Sequence, residues 1–523
     1  MKTKLASALV AVLLLAAACG SGGSQGSNAP KQGGTLTTAI GIDPDTLDPQ
    51  AQTTTTVSQL VNMMVEELVK IDRNGKVQPL LATSWKTSSD GLTYTFTLRK
   101  GVKFQDGEPF NAQAVKFSLD RLLNPSTFAA KPGNLRVIKD VQVIDQDHVK
   151  IDLKEPYAPF LSVLVQTTAG IVAPNSVNVA PNTPQRIQHP VGTGPYEFKE
   201  RVTADHVTMT RFDGYWGKKP AYQTQIYKIV PEDASRESLI RSGQAQVAAL
   251  PPVNDLPALR NNPDVKVIMG QSDRSIYMAI NTVDKKQPLL QKPEVRQALN
   301  YAVNVPAIIK NVLYGAATPL DAPMASALFG YCKTGTYGYN PQKAKQMLKD
   351  AGAEGMSIKL MSPQGRYIAD YNMAQAVAGD LRNVGLKVDM PNPLSWPSYL
   401  GYTESVAPGV DNVDVHVIGW APSYLDASQQ MLLFTQPLPP PGDDSSYYLN
   451  PQVTSLVQQA NSSLDTNTRK KDYCQASKII WKAAPWIFLY NQKNPILTSS
   501  KVSGIVDLPN EQFVTTWATP ANA

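Results

Sequence analysis

LATSWKTSSDGLTYTFTLRKGVKFQDGEPFNAQAVKFSLDR occupies residues 81–121. Leu92, Tyr94, Phe96 and Leu98 alternate with Thr93, Thr95 and Thr97, the period of a half-buried strand. Gly101 and then Asp106-Gly107 punctuate two turns. Asn111 is placed to cap a helix in which Val115, Leu119 and Leu122 share one face. Trp85, Tyr94, Phe96, Phe104 and Phe110 read as core aromatics, whereas Arg99 and Lys103 read as solvent-facing. Strand, two turns and a capped helix in this order belong to a mixed α/β fold.

Outward from this stretch, 35–39 reads as a strand and 57–68 as a helix. Strands are expected at 226–231 and 246–250, with a helix at 234–242. Val295, Ala298, Leu299, Ala302 and Val303 fall on one helical face. A helix over 341–351 should stop at Gly352. Strand 358–361, helix 369–384 stopped by Gly385, and strand 386–390 form a βαβ unit, and 414–419 reads as a further strand.

A chain of 523 residues exceeds one ordinary domain. With 42% hydrophobic and 18% charged residues it has the composition of a soluble globular protein. The net charge of +6 comes without a Lys/Arg-rich run, so nucleic acid is not an expected partner. Lys2 and Lys4 precede an apolar run too short to span a bilayer but suited to a signal-peptide core. It leads to Ala16-Ala17-Ala18-Cys19, and the Gly/Ser-rich 20–34 that follows should act as a flexible tether with a reach of roughly 20 Å. No later segment is apolar for long enough to predict a transmembrane helix. Cys332 and Cys474 remain as an even pair, read as a disulfide or, alternatively, as two buried thiols. No C-x-x-C spacing occurs and histidines number four, so neither zinc nor another metal is expected.

The 81–121 stretch closely resembles the family 5 solute-binding proteins, the receptors of peptide, nickel and opine ABC importers. Leu47-Asp48-Pro49, Gly192-Thr193-Gly194-Pro195-Tyr196, Val295-Arg296-Gln297-Ala298-Leu299, Gly419-Trp420, Asn450-Pro451 and Ala484-Pro485-Trp486-Ile487 follow in the family's order. The resemblance implies a two-lobed α/β periplasmic-binding-protein fold of the cluster C, type II-like kind, with an extra domain and a ligand cleft between the lobes. It implies a signal peptide over 1–18 and a lipidated Cys19 with a tether over 19–33. It further implies a discontinuous domain I over 34–68, 188–276 and 492–523, domain II over 69–187, and domain III over 277–491. Crossings near 275–279 and 489–492 would form the hinge. A monomer is expected, lipid-anchored outside the cytoplasm, that captures a peptide or peptide-like solute and delivers it to permease subunits. The same fold could take a nickel complex, opine or oligosaccharide, or serve a receptor or chaperone without transport.

Catalytic signatures are missing. The G-x-S-x-G match at 22–26 lies in the Gly/Ser-rich tether and not between a strand and a helix, there is no H-E-x-x-H and no phosphate-cradling G-x-x-x-x-G-K, and neither an enzyme nor a cofactor is expected. The adjacent carboxylates Glu66-Glu67 and Asp443-Asp444 read as solvated surface. Binding chemistry is better represented. The segment 419–428 follows a strand, where open α/β sheets bind ligands, and offers Trp420, Ala421, Ser423, Tyr424 and Asp426. In peptide-binding relatives an Asp three residues after the Trp pairs with the ligand's α-amino group, and here that place is Ser423. A hydroxyl cannot neutralise an ammonium. Asp426 could supply a carboxylate, or it caps a turn or helix. The resemblance also implicates Trp396, the 53–56 loop with Thr53 and Thr55, and Gly192 with Thr193. Tyr447 and Tyr448 are further aromatic candidates, while His416 reads as structural.

Overall fold

In a computed structural model the alternating residues form the strand Thr93–Leu98, whose apolar side chains are buried and whose threonines are half-buried. The structure describes residues 33–51, 54–124, 133–177, 187–403, 413–436 and 444–521. The strand pairs with Ala82–Thr87 on one side and His148–Leu153 on the other, and Ile138–Asp145 completes a four-stranded sheet. Asn111 accepts from the backbone N–H groups of Gln113 at 3.0 Å and Ala114 at 3.1 Å and so starts the helix Ala112–Leu123. A side-chain cap of this kind contributes about 1 kcal/mol. The helix packs Val115, Leu119 and Leu122 into the same apolar cluster as Phe96, Phe104 and Phe110. Arg99 departs from the solvent-facing expectation. Its Nε donates to the Leu80 carbonyl at 3.1 Å and its guanidinium lies 4.3 Å over the Trp216 ring.

A second unit is built on seven strands. Their order is Val265–Ile268, Ile496–Ser499, Val247–Ala249, Thr35–Ile40, Thr224–Ile229, His206–Arg211 and Tyr196–Val202. The strand Thr35–Ile40 runs parallel to both of its neighbours. The chain leaves this sheet after Ile268 and returns to it only at Ile496, so a third unit lies between. That unit has six strands in the order Ala317–Pro319, Trp486–Gln492, Ser275–Ile280, Val415–Trp420, Ser357–Met361 and Lys387–Asp389. The predicted βαβ unit is present: Ser357–Met361, the helix Asp370–Asn383, and Lys387–Asp389 in parallel pairing with the first strand. Gly385, at φ 97°, occupies the left-handed conformation that ends that helix. Two adjacent interior strands, Ser275–Ile280 and Trp486–Gln492, are buried throughout, as expected for a sheet covered on both faces. The fold is thus two-lobed and α/β.

Two expectations shift. Residues 275–279 and 489–492 are paired strands, so the connections that cross between the seven- and six-stranded units are 269–274 and 493–495. A strand held on both sides by a ladder cannot flex; an unpaired connection can. The helix expected over 57–68 ends at Val61, because the backbone beyond it is engaged elsewhere. Gly194 N–H donates to the Met64 carbonyl and Tyr196 N–H to the Met63 carbonyl, both at 3.0 Å. The approach is close enough that a Cβ at Gly192 would lie 2.3 Å from the Met64 oxygen.

Cys332 and Cys474 form a disulfide with Cα atoms 5.5 Å apart, tying the loop after Tyr331 to the helix Thr466–Ala483. No helix among the described residues is long and apolar enough to cross a membrane.

Candidate functional site

The strands Ser357–Met361 and Val415–Trp420 are parallel neighbours, so their C-terminal ends share one edge of the six-stranded sheet. Trp420 pairs with Ser275 there, next to the connections to the seven-stranded unit. The loop after the first strand, Gly365-Arg366-Tyr367, reaches the end of the second. Tyr367 Oη accepts from Gly419 N–H at 2.9 Å and donates to the Gly419 carbonyl at 3.2 Å. Glycine is needed at 419, since a Cβ would meet Ile276 Cδ1 at 2.5 Å and the Tyr367 ring at 2.7 Å. Trp396 opens the helix Trp396–Thr403. It stands edge-on to Tyr367 with centroids 5.9 Å apart and stacks with Tyr399 at 5.6 Å.

Arg366 completes this group. Its guanidinium carbon lies 5.0 Å from the centroids of both the Tyr367 and Trp396 rings, within cation–π range. It forms no ion pair with a described carboxylate, while its neighbour Arg274 does. Arg274 Nε and Nη2 donate to the two oxygens of Glu511 at 2.7 and 2.5 Å. Both partners of that pair are buried. Desolvation, with Arg274 nearby, pulls the Arg366 guanidinium below its usual value, and Tyr367, Glu511 and Asp370 oppose this. Behind the pair Asp273 is fully buried with neither carboxylate oxygen hydrogen-bonded. Burial, reinforced by Glu511, holds Asp273 well above the usual carboxylate range. Arg366, exposed and without an ion-pair partner among the described residues, is therefore a cation that this edge offers to solvent, framed by two aromatic rings.

The residues expected from sequence fall into separate groups. Trp396 packs against Tyr367 and Arg366, and Trp420 follows Gly419, whose backbone Tyr367 holds. Trp420 is half-buried, and its indole Nε1 is buried without a hydrogen-bond acceptor among the described residues. Ala421 follows it, half-buried, and Ser423 is exposed with its N–H donated to Gln429 Oε1 at 2.6 Å. Asp426 is occupied. It accepts from Arg469 Nη2 at 2.8 and 3.0 Å and caps a short helix through Ser428 N–H at 3.0 Å, which is the capping alternative. Tyr424 is buried and points toward the four-stranded unit. Thr193 is buried, its hydroxyl donating to Glu66 Oε2 at 2.9 Å, and Gly192 serves the backbone crossing described above. Thr55 begins the helix Thr55–Val61, and Tyr447 is buried with φ 55°. Thr53 and Cys19 lie outside the described residues.

Three of the four carboxylates read as solvated surface, Glu66, Glu67 and Asp444, are buried. Glu66 accepts from Thr193, from Tyr215 Oη at 2.8 Å and from Trp216 Nε1 at 2.9 Å, yet burial still raises it. Burial pushes Glu67 up further. Asp444 is buried and raised to about 8 by desolvation; Asp443 lies outside the described residues. His416 is held down to about 4 by burial and is therefore neutral. No group of three or more potential metal-ligating side chains occurs among the described residues.

Arg366, Tyr367, Arg274 and Glu511 were absent from the sequence-derived candidates. A signal for the first two did exist. They follow the strand Ser357–Met361 as Trp420 ends Val415–Trp420, and the rule that ligands gather at strand C-termini applies to both.

Residues 76–439 match the family model for bacterial extracellular solute-binding proteins, family 5 Middle. The chain is 31% identical over 482 residues to the glutathione-binding protein GsiB of Pectobacterium atrosepticum, covering 91% of this chain and 92% of that one. Among solved structures it is similar to HbpA2 from Haemophilus parasuis, with a TM-score of 0.82 and 26% identity over 93% of this chain and 99% of that one. A dipeptide binding protein from Pseudoalteromonas sp. SM9913 in complex with Met-Leu superposes with a TM-score of 0.77 and 25% identity, over 93% of this chain and 100% of that one.

Proposed function

Because the chain belongs to the family 5 bacterial extracellular solute-binding proteins, which capture solutes for ABC importers and catalyse nothing, we propose that its solute is a short peptide or peptide-like acid whose carboxylate is received by Arg366. The observation that carries this reading is the guanidinium itself: exposed, without an ion-pair partner among the described residues, within cation–π range of Tyr367 and Trp396, and set at the sheet edge where Val415–Trp420 ends. A guanidinium presents a rigid fork of donors matched to a carboxylate. The names of two similar proteins agree with such a solute, one being glutathione-binding and the other dipeptide-binding. Ser423 offers a solute's ammonium no charge, so the carboxylate end is the anchored end.

Arg366→Ala should weaken binding of an acid solute by roughly 10- to 100-fold, from about 1.5–3 kcal/mol for hydrogen bonds to a charged group. Isothermal titration with Met-Leu and with glutathione, each as free acid and as C-terminal amide, checks this. Equal losses for acid and amide would refute the carboxylate assignment.

The four-, seven- and six-stranded units correspond in this reading to domains II, I and III, domain II over 69–187, with the boundaries between I and III moved from 276/277 and 491/492 to the connections 269–274 and 493–495. The receptor works as a monomer held at the membrane by lipid on Cys19, and hands its solute to permease subunits. Cys19→Ala should move the protein from the membrane pellet to the soluble fraction. Continued sedimentation with membranes would reject the lipid anchor.

A further inference from the structure

The four- and seven-stranded units are joined by contacts that do not open at low cost. Asp48 and Arg121 form a fully buried ion pair between them. The Gln105 amide donates to the carbonyls of Met64, Gly194 and Tyr196 and accepts from Gly192 N–H. Glu66 gathers three further donors. Separating a buried ion pair leaves two charges to be rehydrated and repaired, so these units behave as one lobe.

The six-stranded unit is attached to that lobe differently. Besides the connections 269–274 and 493–495, it touches the four-stranded unit through Tyr424. The ring is 1% exposed and belongs to the apolar cluster of the four-stranded unit, not to that of its own. Its hydroxyl meets Asn134 Nδ2, Tyr157 Oη at 2.9 Å and Ser428 Oγ at 3.0 Å. Next to it Leu425 lies over Gly75, where a Cβ would come within 2.7 Å of Leu425 Cδ1. Ala158 N–H donates to the Asn461 carbonyl at 2.8 Å. These contacts carry no charge. Neutral hydroxyls and amides exchange protein partners for water at a small net change, so such an interface can open and re-form. Its mounting is stiff, since Asp426 holds Arg469, Arg469 Nε donates to the Ala460 carbonyl, and Tyr473 Oη donates to Asn461 Oδ1 at 2.6 Å.

We propose that Tyr424 is the tongue of an interlobe latch, seated in the four-stranded unit when the lobes are closed and withdrawn when they open. The latch sets the lifetime of the closed state and not the choice of solute, which rests with the Arg366 edge. It goes beyond the peptide reading, and its main readout needs no solute.

The test is small-angle scattering of the unliganded full chain, with Tyr424→Ala and Tyr424→Phe beside the unaltered protein. Tyr424→Ala should shift the ensemble to a larger radius of gyration, with Tyr424→Phe between the two. Where a solute binds, its dissociation should quicken at least tenfold in Tyr424→Ala, equally for every peptide tried. Unchanged scattering and dissociation would mean a permanent packing contact and overturn the latch. A change in the ranking of peptides would make Tyr424 a ligand wall and overturn it too. If Tyr424→Ala does not fold, Tyr157→Phe removes the facing hydroxyl and repeats the readout with a smaller expected shift. Failure of every peptide to bind would sink the solute assignment alone, because the scattering still decides the latch.

Discussion

Asp48→Ala should lower the unfolding free energy by about 3–5 kcal/mol, the characteristic cost of leaving a buried charge without its partner. Asp48 Oδ1 and Oδ2 accept from Arg121 Nη1 at 3.0 Å and Nη2 at 2.5 Å, and both side chains are almost wholly excluded from solvent. The same carboxylate accepts from the N–H groups of Gln50 at 3.1 Å and Ile187 at 3.0 Å. Alanine would leave the guanidinium its Gln50 amide oxygen but remove its counter-charge, and would leave two backbone donors without this acceptor. Arg121 belongs to the helix Ala112–Leu123, so the loss should appear as reduced hydrogen-exchange protection of that helix, with a parallel drop in the denaturation midpoint. Asp48→Asn keeps the acceptors for the two N–H groups only in part and should fall between. A change under about 1 kcal/mol for Asp48→Ala would mean that water reaches the pair and that the junction between the units is looser than the geometry states.

Replacing Cys332 and Cys474 together by serine should cost about 2–5 kcal/mol. The bond closes a loop with a sequence separation of 142, and loop-closure entropy grows with the logarithm of that length, reaching about 5 kcal/mol in the chain-entropy model. The cross-link removes conformations from the unfolded chain more than it adds contacts to the folded one. The double serine variant should therefore lose denaturation midpoint under oxidising conditions, and reductant should lower the unaltered protein to the same value while leaving the variant unmoved. Equal midpoints for variant and unaltered protein without reductant would show that the pair contributes nothing to stability.

Local features were legible in the sequence because their causes are local. The period-two alternation of 92–98, the Asn111 cap, and the glycine that ends the helix Asp370–Asn383 depend on neighbours a few residues away. The helix read over 57–68 overran for the opposite reason. Nothing near Met63 or Met64 signals that Gly194 and Tyr196 will claim their carbonyls. Glu66 and Glu67 read as surface because two adjacent carboxylates usually are; the partners that admit Glu66 to the interior come from Thr193, Tyr215 and Trp216, remote in sequence. Asp426 shows the converse case, in which local capping chemistry was visible and the distant Arg469 that occupies its carboxylate was not.

The candidate site divides in the same way. Trp420 was found because an aromatic after a strand marks a sheet end, a statement about one segment. Arg366 acquires significance only when the parallel register of Ser357–Met361 and Val415–Trp420 brings two loops to one edge, and when Glu511 consumes the charge of Arg274. Tyr424 stands four residues after Trp420 in the chain, yet its ring belongs to another unit's core. By itself the sequence determined the family, the strand and helix order, and the absence of catalytic signatures, since these rest on patterns within short spans. Tertiary structure alone decided which guanidinium is paired and which is framed by rings, which carboxylates are buried and which aromatic enters another unit's core. Those outcomes depend on desolvation and pairing between segments hundreds of residues apart, and no local pattern records them.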